Sequence, residues 1–81
     1  SDIDILAENG NLYLIEVKST ADLDDISHFI MNAKIYTLQH SQEPTQLLLI
    51  TLRIHERALN LARKKNIRVL TTEIIPHNAW S

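Results

Sequence analysis

The chain has 81 residues, of which 44% are hydrophobic and 22% charged, with a formal charge of -2 and no cysteine. This is the composition of one globular domain at most: too short for two cores, too apolar for a disordered segment, and without disulfides or thiolate metal sites. No apolar run approaches the roughly 18 to 20 residues that span a bilayer, so a cytoplasmic location is the expectation.

The charge is small but unevenly placed. Seven of the ten acids (Asp2, Asp4, Glu8, Glu16, Asp22, Asp24 and Asp25) stand in the first 25 residues, where Lys18 is the only base. Six of the eight bases (Arg53, Arg57, Arg63, Lys64, Lys65 and Arg68) lie between positions 53 and 68. Such polarity suits an acidic site beside a basic surface for a polyanion, and it equally suits solvated helix faces. The chain opens without a methionine and directly in a strand-like pattern, as a single domain cut from a longer chain would.

Asp2 to Ala7 alternates polar and apolar, meets Glu8-Asn9-Gly10, and is followed by the apolar run from Leu12 to Val17. This is a β-hairpin pattern whose turn decides which residues share a face. A two-residue loop at Asn9-Gly10 pairs Glu8 with Asn11 and sets Asp4 opposite Ile15, which sends Asp4 and Glu16 to opposite faces. A three-residue loop, Glu8-Asn9-Gly10 with Gly10 left-handed, pairs Ala7 with Asn11, Asp4 with Leu14 and Asp2 with Glu16. Asp2, Asp4, Glu16 and Lys18 then share one face, and Ile3, Ile5, Tyr13, Ile15 and Val17 the other. That second face is apolar apart from the tyrosine hydroxyl, so burial favours this register and the three-residue turn is predicted.

Ser19 to Asp22 reads as a loop and N-cap, with Asp24 and Asp25 in a first helical turn whose dipole favours acids. A helix is predicted from about Leu23 to Gln39, with Leu23, Ile26, Phe29, Ile30, Ala33 and Tyr36 lining the side that packs on the sheet. Met31, Ile35 and Leu38 form a second apolar stripe, expected to be covered by a preceding element of the same protein or by a second copy in a homodimer. Gln46 to Leu52 is the continuous apolar run of an interior parallel strand, reached by a right-handed crossover. A helix over about His55 to Lys65 buries Ala58, Leu59 and Ala62 and ends at Asn66, a left-handed position. Arg68 to Thr71 is a short last strand, and Glu73 to Ser81 a tail or an added edge strand.

Glu16 and Lys18 stand two positions apart on a strand and so share a face. An acid and a base on an apolar strand form either an ion pair at the strand end or a site for a metal ion and a phosphate. A second carboxylate on that face, Asp4, favours the site.

With Asp2-Ile3-Asp4-Ile5 and Ile15-Glu16-Val17-Lys18-Ser19 in this order, followed by a helix and a strand, the chain resembles the PD-(D/E)xK phosphodiesterase superfamily. Within that superfamily the likeness is to small nuclease-like domains. It covers Asp2 to about Thr71, including the alanine-spaced helix before Ile67-Arg68-Val69-Leu70. Ile3 stands where the family often has a proline. The resemblance implies an α/β restriction-endonuclease-like core: a β-hairpin, then α-β-α-β, with a mixed sheet flanked by helices. The core is expected to lack the preceding helix that in many members adds a further acid. The implied activity is metal-dependent hydrolysis of DNA phosphodiesters. Asp4, Glu16 and the Val17 carbonyl would be ligands of Mg²⁺ or Mn²⁺, hard cations that take oxygen donors. Lys18 would act through its charge, placing the attacking water or stabilising the phosphorane.

Other features are weaker. Arg63-Lys64-Lys65 sits where a helix dipole alone favours cations, with phosphate contact as the sharper reading. Asn32 and Tyr36, one turn apart, resemble weakly a Gln-x-x-x-Tyr pair of some nuclease branches, but Tyr36 reads rather as core and Asn32 as solvated. His28, His40, His55 and His77 have no ligand spacing, and Trp80 suits stacking on a base or on another chain. Two rival readings remain open: a nuclease-like module that binds DNA or protein without cutting, and a small α/β oligomerisation domain whose acids only cap strands.

Overall fold

The structure is a computed structural model and describes residues 3–78. Asp2 and Trp80, both named above, lie outside the described residues. The elements are β1 (Asp4–Glu8), β2 (Asn11–Ala21), α1 (Leu23–His40), β3 (Gln46–His55), α2 (Glu56–Lys64) and β4 (Ile67–Ile75). This is the predicted hairpin followed by α-β-α-β. The four strands form one mixed sheet in the order β1-β2-β3-β4, with β1 antiparallel to β2 and the other pairs parallel.

Both helices cover the same face. The core joins Leu14, Leu49 and Ile67 of the sheet to Ile26, Phe29 and Ala33 of α1 and to Ala58, Leu59 and Ala62 of α2. Two crossovers of one hand stepping the same way across a sheet must leave their helices on one side. Among the described residues no helix or strand covers the opposite face, and there Val17 is 62% and Leu52 63% exposed, with Leu6, Ile50 and Leu70 also exposed. The second stripe of α1, Met31, Ile35 and Leu38, expected to be covered, is exposed on this chain.

The hairpin departs from the prediction. Glu8 pairs with Asn11 and Asp4 with Ile15, so the loop is the two-residue Asn9-Gly10, with both residues at positive φ, 53° and 81°. Such a turn needs left-handed backbone at both positions, and Asn-Gly supplies it at least steric cost. All five residues of β1 are exposed, and the preceding Ile3 packs on the core in the observed register, so burial does not favour the three-residue turn. The buried face of β2 is the one carrying Leu12 and Leu14.

The strands also outrun their predicted ends. Ser19 to Ala21, read as loop, continue β2, because Thr20 and Ala21 pair with Arg53 and Ile54. Glu73, Ile74 and Ile75 continue β4 against β3 rather than forming a tail. A parallel ladder gives each added residue a hydrogen-bonded neighbour, which outweighs the weak strand preference of serine or alanine. Local helix signals behave as written: Asp22 caps α1 and Asn66 is left-handed at φ 58°.

Candidate active site

Along β2 the positions facing the helices are Leu12, Leu14, Glu16 and Lys18. Leu12 and Leu14 are core, and Glu16 follows them under the helices at 2% exposure. Burying a carboxylate costs several kcal/mol even after relaxation, so its place between apolar neighbours has to be offset by something the fold or the function requires. Lys18 lies one strand repeat further out and is half-buried. Its neighbour across the ladder is Thr51, paired in turn with Thr71 of β4. Thr51 is buried and donates its hydroxyl to the Arg53 carbonyl at 2.9 Å.

The helix that follows β2 brings an acid to this lysine. Lys18 Nζ is 3.3 Å from Asp25 Oδ1 in the first turn of α1. Asp25 is held by a reciprocal box with the N-cap: Asp22 N–H donates to Asp25 Oδ2 at 2.9 Å, and Asp25 N–H donates to Asp22 Oδ1 at 3.1 Å. Partial burial pushes the Asp25 carboxyl up, but the Asp22 N–H and the Lys18 ammonium outweigh it and hold the group below its ordinary value. The ammonium of Lys18 therefore rests on a carboxylate that is itself fixed.

Of the sequence-predicted residues, Glu16 and Lys18 share a face and Asp4 does not join them. In the observed register Asp4 stands opposite Ile15, on the open face of the sheet, and is exposed. Val17 is paired with Ile50 within the ladder, so its carbonyl lies in the plane of the sheet. Among the described residues no group of three or more His, Asp or Glu side chains is gathered so as to hold a metal ion. Among the described residues the arrangement offers Glu16 as one buried hard oxygen donor.

The basic run Arg63, Lys64 and Lys65 is exposed at the far end of α2. It leads into Ile67, four strand residues from the row of Lys18, Thr51 and Thr71, or about 13 Å at about 3.3 Å per residue. A nearer cation went unnoticed in the sequence: Arg53 donates from Nη2 to the Thr20 hydroxyl at 3.2 Å, one pairing beyond Lys18. Asp25 also went unnoticed as a partner of Lys18. Its spacing from Asp22 carries a capping-box signal, but only the return of the helix over β2 reveals what the other oxygen meets. A shallow hollow of about 320 Å³ is lined mainly by the open-face residues Val17, Ile50, Leu52 and Leu70, with Lys18, Thr51, Thr71 and Thr72.

Set against known proteins, residues 1–68 match the family model described as the PD-(D/E)XK nuclease superfamily. Searches of curated proteins and of solved structures find no match.

Proposed function

The chain belongs to the PD-(D/E)XK nuclease superfamily, and from that membership we propose that it is a nuclease domain hydrolysing DNA phosphodiester bonds with a divalent cation, Mg²⁺ or Mn²⁺. The observation that carries the reading is Glu16, a carboxylate at 2% exposure with a lysine beside it on the same strand face. A strand-end ion pair needs no such burial.

In this reading Glu16 and the Val17 carbonyl are oxygen ligands and Lys18 is the cation that meets charge developing on the phosphate. Asp4 is the second carboxylate. A one-residue slip of the hairpin to the three-residue turn sets Asp4 opposite Leu14, on the face of Glu16; the five exposed residues of β1 do not oppose such a slip, and the contact to be given up is that of Ile3 with the core. When bound, the cation would polarise the phosphate and acidify a water. Arg63, Lys64 and Lys65, with Arg53 nearer the site, contact backbone phosphates. A cytoplasmic location goes with this activity. The exposed Met31, Ile35 and Leu38 favour a covering neighbour, either a homodimer partner or a preceding region of the same protein.

The test is cleavage of supercoiled plasmid in Mg²⁺ or Mn²⁺ and in chelator, with Glu16→Ala and Lys18→Ala alongside. Loss of cleavage in chelator and in Glu16→Ala is expected, with a drop of about 10²- to 10³-fold in Lys18→Ala. Equal signals from all three proteins would eliminate the enzyme reading.

One observation favours a second reading, a nuclease-like module that binds DNA without cutting: the described residues gather no metal-binding group. That reading predicts a salt-dependent DNA mobility shift with no cleavage in either metal.

A further inference from the structure

We propose that Asp25 is the positioning residue of this site, holding the Lys18 ammonium over the Glu16 face of β2. The proposal rests on the role given above to Lys18 and adds a residue that the motif does not contain.

A lysine is a poor fixed charge by itself, because its four-carbon stem carries many rotamers and its ammonium is strongly hydrated. At 31% exposure of its side chain, Lys18 has room to swing into water. Glu16 is the acid nearest to it along the strand, yet the ion pair of Lys18 is with Asp25 at 3.3 Å. Asp25 suits that task because neither its backbone nor its carboxylate is free to follow the lysine. One carboxylate oxygen accepts the Asp22 N–H, its own N–H is bound by the Asp22 carboxylate, and the residue stands in the first turn of an 18-residue helix. The remaining oxygen faces Lys18. The N-terminus of α1 thus serves as the anchor, Asp25 as the arm, and Lys18 as the group held.

Three substitutions separate positioning from capping. Asp25→Asn keeps an oxygen for the Asp22 N–H and removes only the charge facing Lys18. Asp25→Glu restores the charge. Asp22→Ala removes the cap acceptor and does not touch Lys18. With lysine labelled in ¹³C and ¹⁵N, and Lys18 assigned by its loss in Lys18→Ala, the wild type should show an Lys18 side chain more ordered than Lys34, Lys64 or Lys65. Asp25→Asn should bring Lys18 to their level, while Asp22→Ala, which keeps the Asp25 charge and the Asp22 N–H bond to it, should loosen Lys18 less. In plasmid cleavage, Asp25→Asn should lower kcat by about 10²-fold with KM nearly unchanged, since misplacing a catalytic group by an ångström has that effect. Asp25→Glu should recover part of the loss, and Asp22→Ala should lower Tm with a smaller loss of kcat than Asp25→Asn.

An Lys18 that stays ordered in Asp25→Asn overturns the proposal, and so does a wild type that cuts while Asp25→Asn retains its kcat; both leave the nuclease reading standing. A wild type that does not cut removes the nuclease reading instead, and the ordering of Lys18 in Asp25→Asn then decides the role of Asp25 without reference to activity.

Discussion

Replacing Glu16 by methionine is expected to make the protein more stable and inactive. Glu16 is 2% exposed, and its neighbours Leu14 and Leu49 are fully buried. Methionine has nearly the same length, no charge and an adaptable stem, so it fills the site without a cavity. Removing the carboxylate recovers a desolvation cost of several kcal/mol. Against this stands the loss of the interactions that hold the carboxylate, about 1.5–3 kcal/mol for each charged hydrogen bond. The balance is a gain of about 1–2 kcal/mol, and for a domain of this size each kcal/mol moves Tm by about 4–8 °C. Thermal unfolding followed by circular dichroism, with urea unfolding at constant slope as a second measure, reads the effect directly. A Tm that instead falls by more than about 4 °C would refute the reasoning. It would mean that the carboxylate holds the strand in place, which is the strand-end role, and the argument from its burial would fail with it.

The remaining predictions address the turn, the core, the helix start and the basic run. Gly10→Ala meets no atom within 4 Å, so its cost is that of an L-residue at φ 81°, about 1 kcal/mol, seen as a drop in Tm. Asn9→Gly should be neutral or slightly stabilising, because Asn9 also has positive φ, and a clear loss there would contradict the two-residue turn. Phe29→Ala, at a fully buried position, should cost about 3–5 kcal/mol in urea unfolding. The carboxyl of Asp25 is held below its ordinary value, so its stabilisation is fully present above the unfolded-state pKa of about 3.9 and is lost as pH falls through the lower folded value. Tm measured from pH 6 down to pH 3 should therefore fall more steeply for wild type than for Asp25→Asn, and parallel curves would speak against the assignment. Replacing Arg63, Lys64 and Lys65 by alanine should weaken DNA binding uniformly across sequences, and the salt slope should fall by about one for each phosphate no longer neutralised.

Much of the fold was legible because its signals are local. Asp22 before Leu23, with acids in the next turn, marks the start of α1 wherever that helix lies. Ile26, Phe29 and Ala33 are buried because helical spacing puts them on one side, and Ala58, Leu59 and Ala62 follow the same rule in α2. Asn66 supplies a left-handed residue at a helix end whatever follows it. Glu16 and Lys18 share a face because a strand alternates, and no tertiary contact is needed to know it.

The face itself is another matter. Strand β2 is apolar on both sides, with Leu12 and Leu14 on one and Tyr13, Ile15 and Val17 on the other. Alternation is symmetric between two such faces, so the residues of the hairpin alone cannot rank them. The ranking came from α1 and α2, which return by crossovers of the same hand and cover the side of Leu12 and Leu14. With that side buried and β1 left exposed, the turn closed on Asn9-Gly10 and Asp4 fell opposite Ile15. Parallel pairing over long range likewise set the true ends of β2 and β4, beyond residues that read as loop and tail.

The sequence by itself thus determined the order of elements, the family motif and the alignment of Glu16 with Lys18, since each depends on neighbours within one helical turn or two strand positions. Only the tertiary structure decided which face is the core, where Asp4 stands and that Lys18 meets Asp25, because those outcomes depend on which helix packs on which side of a sheet that is apolar on both.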